Sequence, residues 1–114
     1  MSDLYDELEI KKRELDISIK QLRKTGTAYA EAERTYKVLL RQECLKLRDS
    51  GMAIGMIDKV CYGVPSVADA RFERDVKEAT YKANQEAIKE AINSIKLQMR
   101  LIEAQISREW GATT

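Results

Sequence analysis

The sequence predicts an all-α protein, a long antiparallel helical hairpin with a short helix at its tip that assembles into a helical bundle or coiled coil. Composition is the first of three observations behind this. Of 114 residues, 34% are charged and 44% hydrophobic, with a single proline and five glycines, the balance of amphipathic helices rather than of a sheet. The second is sparse punctuation, which leaves two long stretches free of helix breakers. The third is that the later stretch is apolar on two opposed sides, more than one intramolecular neighbour can cover.

Taken in order, Ser2 and Asp3 suit the start of a helix that runs over 2–50. Gly51 suits its end, because glycine adopts the left-handed conformation that closes a helix without steric cost. Thr25-Gly26-Thr27 places a glycine between β-branched residues, a sequence about 1–2 kcal/mol less helix-favouring than alanines. Both a continuous helix and a kink fit that tripeptide. A tip helix is expected over 53–62, closed by Gly63. Ser66 then serves as an N-cap with Asp69 completing a capping-box-like pair, opening a helix over 66–110. The whole, 1–114, reads as a single helical-hairpin domain, since two helices of equal length joined by a short connector lie antiparallel. Folding about the tip sets Tyr29 near Ala87, Tyr36 near Ala79 and Thr80, Leu40 near Val76, and Leu15 near Leu101. Small residues in the middle of each helix, Ala79, Ala83, Ala87 and Ala91 on one and Gly26, Ala28, Ala30 and Ala32 on the other, allow close approach.

At about 100° per residue, Phe72, Val76, Ala79, Ala83, Leu97, Leu101 and Ala104 form one stripe of the second helix, expected to meet the first. A second stripe, Tyr81, Ile88, Ile92, Ile95, Met99, Ile102 and Ile106 with Trp110 at its end, has the alternating four- and three-residue steps of a coiled-coil seam. Exposing such side chains forgoes about 1.5–3 kcal/mol each. The seam is therefore expected to be an oligomer interface, joining two hairpins into a four-helix bundle or building a larger homo-oligomer. A first helix broken near Gly26 and wrapping both sides is the alternative.

Chemistry has little to work with. The chain has no histidine, no phosphate-cradling glycine loop and no metal-ligand spacing, so no catalytic residues, cofactor or metal are expected, and the protein is read as not an enzyme. Asp69 and Glu73, one turn apart, read as solvated surface rather than a Mg²⁺ site. Cys44 and Cys61 read as free thiols of a reducing compartment. With an acidic, amphipathic start over Met1–Lys12 and no window near the ~20 apolar residues of a membrane span, a cytoplasmic location follows. A formal charge of +1 argues against a main role in coating nucleic acid or lipid.

The tip, Gly51–Arg71, superficially resembles a helix-turn-helix. It departs by Asp58 where that motif takes a small residue and by one extra residue before Gly63. Two readings stand: a hydrophobic plug closing the bundle, or a nucleic-acid or nucleotide contact made by Lys59, Tyr62, Arg71 and Arg74. Basic groups at Lys11-Lys12-Arg13 and at Lys20, Arg23 and Lys24 have acids within about a turn, as in a solvated face.

Two segments, AEAERTYKVLLRQECLKLRDSGM from Ala30 and VADARFERDVKEATYKANQEAIKEAINSIKLQMRLIEAQISREW from Val67, resemble small α-helical proteins of phages and prophages of Gram-positive bacteria, mostly uncharacterised. The similarity runs from about residue 28 to 110. It implies a phage-derived protein from an early gene region, where recombination accessories and inhibitors of host defence are common. Together these readings lead to the expectation of a non-enzymatic homo-oligomer that binds a host or phage macromolecule, as an anti-defence inhibitor or a recombination or replication accessory. A nucleic-acid-binding or nucleotide-sequestering protein is the alternative.

Overall fold

A computed structural model describes residues 2–113 as an all-α helical hairpin: α1 (Ser2–Asp49), α2 (Ile54–Val60), a 3-10 turn (Cys61–Gly63) and α3 (Pro65–Thr113). Among the described residues there is no strand. The expected cap at Ser2 lies outside the described side chains.

Helix ends follow local chemistry. Gly51 has φ of 89°. Its amide donates to the Arg48 carbonyl at 3.0 Å, and the Met52 amide donates to Leu47 at 3.2 Å, the paired bonds that satisfy the last carbonyls of a helix. α3 begins one residue earlier than the sequence suggested. Val64 occupies the cap position, its carbonyl accepting from the Ala68 amide at 2.9 Å. Pro65 takes the first helical position, where a missing N–H costs nothing. α2 is shorter than expected because its last turn tightens into the 3-10 segment.

The chain divides into two units, one of Met1–Arg23 with Ala83–Thr114, the other of Lys24–Lys82. In each, α1 and α3 run antiparallel. Within Lys24–Lys82, the Tyr29 hydroxyl donates to Glu78 at 2.7 Å, and its ring lies 6.0 Å from that of Tyr81. The Arg74 guanidinium stacks over Tyr36 at 4.6 Å. These pairs correct the expected register: Tyr29 meets Glu78 and Tyr81, not Ala87, and Tyr36 meets Arg74, not Ala79 and Thr80. The slip is about two helical turns. Its cause lies in the connector. Cys44, Leu45 and Arg48 of α1 line a cleft with Ile54, Ile57 and Asp58, so α2 packs beside the last turns of α1 instead of sitting beyond both helices. α3 therefore starts short of the α1 end. Ile57, Cys61 and Val67 are buried there, Val67 completely, and form the core of the tip.

α1 is continuous through Gly26, and the glycine is needed for packing. A Cβ at that position would lie 3.1 Å from Tyr81 Cε1. Gly26→Val is expected to destabilise the fold by about 1–3 kcal/mol through overpacking, read as a lower urea midpoint. Combining it with Tyr81→Leu should recover most of the loss.

Within the other unit, Gln98 is 1% exposed. Its Nε2 donates to the Leu4 carbonyl at 2.8 Å, and its Oε1 accepts from Lys11 Nζ at 3.1 Å. Asn84 Nδ2 donates to the Ser18 carbonyl at 3.0 Å. Polar side chains at seam positions fix register, because slipping by a turn would strand them without partners.

Candidate binding surfaces

The face that α3 turns to α1 recurs in three- and four-residue steps through Val67, Ala70, Arg74, Glu78, Tyr81, Asn84, Ile88, Ala91, Ile95, Gln98 and Ile102, all buried or half-buried. This reverses part of the expected division. Of the stripe assigned to α1, Phe72, Val76, Leu97 and Leu101 are exposed, Phe72 at 69%, and Ala79, Ala83 and Ala104 are exposed as well. Of the eight residues assigned to the oligomer seam, Ile102 is buried within the chain and Tyr81, Ile88, Ile95 and Ile106 are half-buried. Ile92, Met99 and Trp110 remain exposed. A straight-helix projection drifts by about 20° per heptad from a supercoiled seam, which over six heptads mixes the two faces.

Counting from the observed seam, Ile92 and Met99 border one side of the α1–α3 pair, as do Tyr5 and Ile19 of α1. Ile10, Ile17, Leu97 and Leu101 border the other. All eight are exposed. The terminal unit thus carries an apolar strip on each flank.

The tip residues singled out for ligand contact separate in role. Lys59, Tyr62 and Arg71 are exposed. Arg74 is committed internally: besides Tyr36, it pairs with Asp75 at 2.8 Å and reaches Glu33 at 4.0 Å. Glu73 is paired with Lys77 at 3.5 Å, and among the described residues no group of three or more His, Cys, Asp or Glu is placed to hold a metal ion. No helix is long and apolar enough to cross a membrane among the described residues. Both thiols are free. Loss of hydration pushes the Cys44 thiol up, with contributions from the neighbouring Cys61 and from Asp58, which keeps it in the unreactive protonated form.

The bond from Tyr29 to Glu78 has an electrostatic signature. The carboxylate acceptor raises the Tyr29 hydroxyl to about 12, while the same bond, assisted by Lys82, lowers Glu78. The folded state holds the Tyr29 proton more tightly than the unfolded chain, so this contribution to stability is complete below about pH 10. It is lost as pH rises through about 12. At the acid end Glu78 contributes above its ordinary range, and that contribution is lost as pH falls through its lowered value. In a titration followed at the phenolate absorbance, one of the five tyrosines is expected to ionise near pH 12, and Tyr29→Phe should remove that late step.

One surface escaped the sequence reading. Arg34, Arg41 and Arg48 repeat every seventh residue on the outer side of α1, all exposed and without an ion pair among the described residues. Between Arg34 and Arg48 lie five cations and one carboxylate, Glu43, which pairs with Lys46 at 3.1 Å. Three adjoining clefts run along this stretch. Their walls include Glu33, Arg34, Lys37 and Arg41 with Val38, then Leu40 and Cys44, then Leu45, Arg48, Ile54 and Asp58. The seven-residue arginine spacing was the signal available in sequence.

Comparison with protein families finds no matching family, and comparison with curated proteins and with solved structures finds no match.

Proposed function

We propose that the chain is a non-enzymatic helical binding protein that works as a homo-oligomer. The observation that carries this reading is the surplus of uncovered apolar side chains. Among the described residues only five hydrophobic ones are buried, against sixteen large ones left exposed, too small a core to offset the entropy of ordering the chain. Copies of the same chain offer matching apolar flanks on both sides of the terminal unit, so a bundle of hairpins covers what one hairpin exposes.

The likeness of residues 28–110 to phage-encoded helical proteins supplies the setting. In it the oligomer acts in the cytoplasm on a host or phage macromolecule, as an inhibitor of defence or as a recombination or replication accessory. Lack of histidine and of any nucleophile–base arrangement in the sequence favours binding over catalysis. Co-expression of two differently tagged copies tests the reading. Capture of one tag is expected to bring down the other through a salt wash, since apolar contacts survive screening. Capture of a single tagged species alone would remove the basis for the reading.

A further inference from the structure

The geometry points to the outer groove of α1, from Ala30 to Arg48, as a docking site for an acidic amphipathic helix of a partner protein. The inference builds on the binding-protein reading but rests on a different surface from the apolar flanks. Charge complementarity selects the partner. The groove is lined by four cations, Arg34, Lys37, Arg41 and Arg48, against two acids, Glu33 and Asp58, a net charge of +2 on one narrow surface of a chain whose whole formal charge is +1. The two acids stand at its ends, Asp58 beside α2 and Glu33 beside Lys37 at 3.7 Å, which leaves Arg34, Arg41 and Arg48 as the cations along it without an ion pair among the described residues.

Periodicity selects a helix. Arg34, Arg41 and Arg48 repeat at about 10.5 Å, two turns of an α-helix. A partner helix with carboxylates at the same seven-residue interval meets each guanidinium in turn, in charge-assisted bonds. Between the arginines, Val38 and Leu45 are 49% and 50% exposed and Ile54 78%. The apolar stripe of an amphipathic helix covers them, in the groove mode of helix recognition. A phosphodiester backbone would satisfy the arginines but leave this apolar floor in water, so nucleic acid is the poorer occupant.

Fluorescence anisotropy with a labelled three-heptad peptide, leucine at the inner positions and glutamate at the flanks, tests the site on the full-length protein. The native protein is expected to bind it, and affinity should fall about tenfold or more between about 50 and about 300 mM NaCl. Arg41→Glu with Arg48→Glu should weaken binding at least about tenfold at unchanged helicity. The neutral Arg41→Gln with Arg48→Gln should fall between. Substituting Ile92 and Met99 with aspartate should leave peptide binding intact even where it alters the mass, separating this site from self-association. No binding at about 100 µM, equal affinity for the charge-reversed variant, or tighter binding of a labelled DNA duplex than of the peptide would each overturn the inference.

Discussion

Ile92→Asp combined with Met99→Asp is expected to reduce the protein to single chains. Both side chains stand outside the α1–α3 seam, at 39% and 48% exposure, so they contribute little to the hairpin that carries them. In an assembly each is worth about 1.5–3 kcal/mol when covered, and each interface loses the pair from every copy it joins. A loss of about 3–6 kcal/mol corresponds to more than a hundredfold in dissociation constant. Light scattering should report a fall to 13.1 kDa. Circular dichroism will show whether helicity is retained or falls together with mass, as when folding and association are linked. An unchanged mass would exclude this flank, and Ile17→Asp with Leu97→Asp would then report on the opposite one.

The second large effect is expected at the tip. Val67 is completely excluded from solvent beside a Cys61 that is 1% exposed. Val67→Asp puts an unpaired carboxylate where no water reaches it, a change of about 3–5 kcal/mol, enough to unfold the tip of a marginal domain. Val67→Ala, which only leaves a small cavity, should cost about 1–3 kcal/mol. Phe72, five residues on, is the decisive contrast. The sequence pattern assigned it to the interior, whereas the structure leaves it 69% exposed. Phe72→Asp should change stability by less than about 1 kcal/mol. Urea unfolding of the three variants measures the difference, and a Phe72 cost equal to that of Val67 would restore the original assignment of faces.

The contrast between those residues shows what the sequence made legible. Helix existence, the αL end at Gly51 and the α2 tip followed from punctuation, which acts locally and is strong where glycine and proline are rare. The isoleucine seam was half legible. Ile88, Ile95 and Ile102 belong to the observed inner face, but Ile92 and Met99 continue an equally regular seam one position aside. The inner face is hidden by Arg74, Asn84 and Gln98, polar residues that hydrophobicity counts as exterior and that the fold buries or half-buries through bonds to the opposite helix. Register was illegible for a different reason. It depends on whether α2 sits across both helices or beside one, and that is decided by packing of Ile57 and Cys61 rather than by any local pattern. Gly26 had two readings because its value lies in what it leaves room for, the ring of Tyr81, 55 positions away by sequence and adjacent only after folding.

The arginine line on α1 was visible in principle. Its members lie among the lysines and glutamates of a charged helix, and only their common heptad position and the absence of an ion pair among the described residues set them apart. By contrast, Lys20 is held by Asp16 at 2.9 Å and Lys82 by Glu78 at 3.0 Å, ordinary exposed pairs of small energetic weight.

Sedimentation velocity of the native chain across about 1 to about 100 µM is the most direct measurement of whether its uncovered apolar flanks are closed by other copies. A sedimenting mass at a multiple of 13.1 kDa throughout the upper part of that range is the expected result. A folded, single 13.1 kDa species at the highest concentration would contradict it.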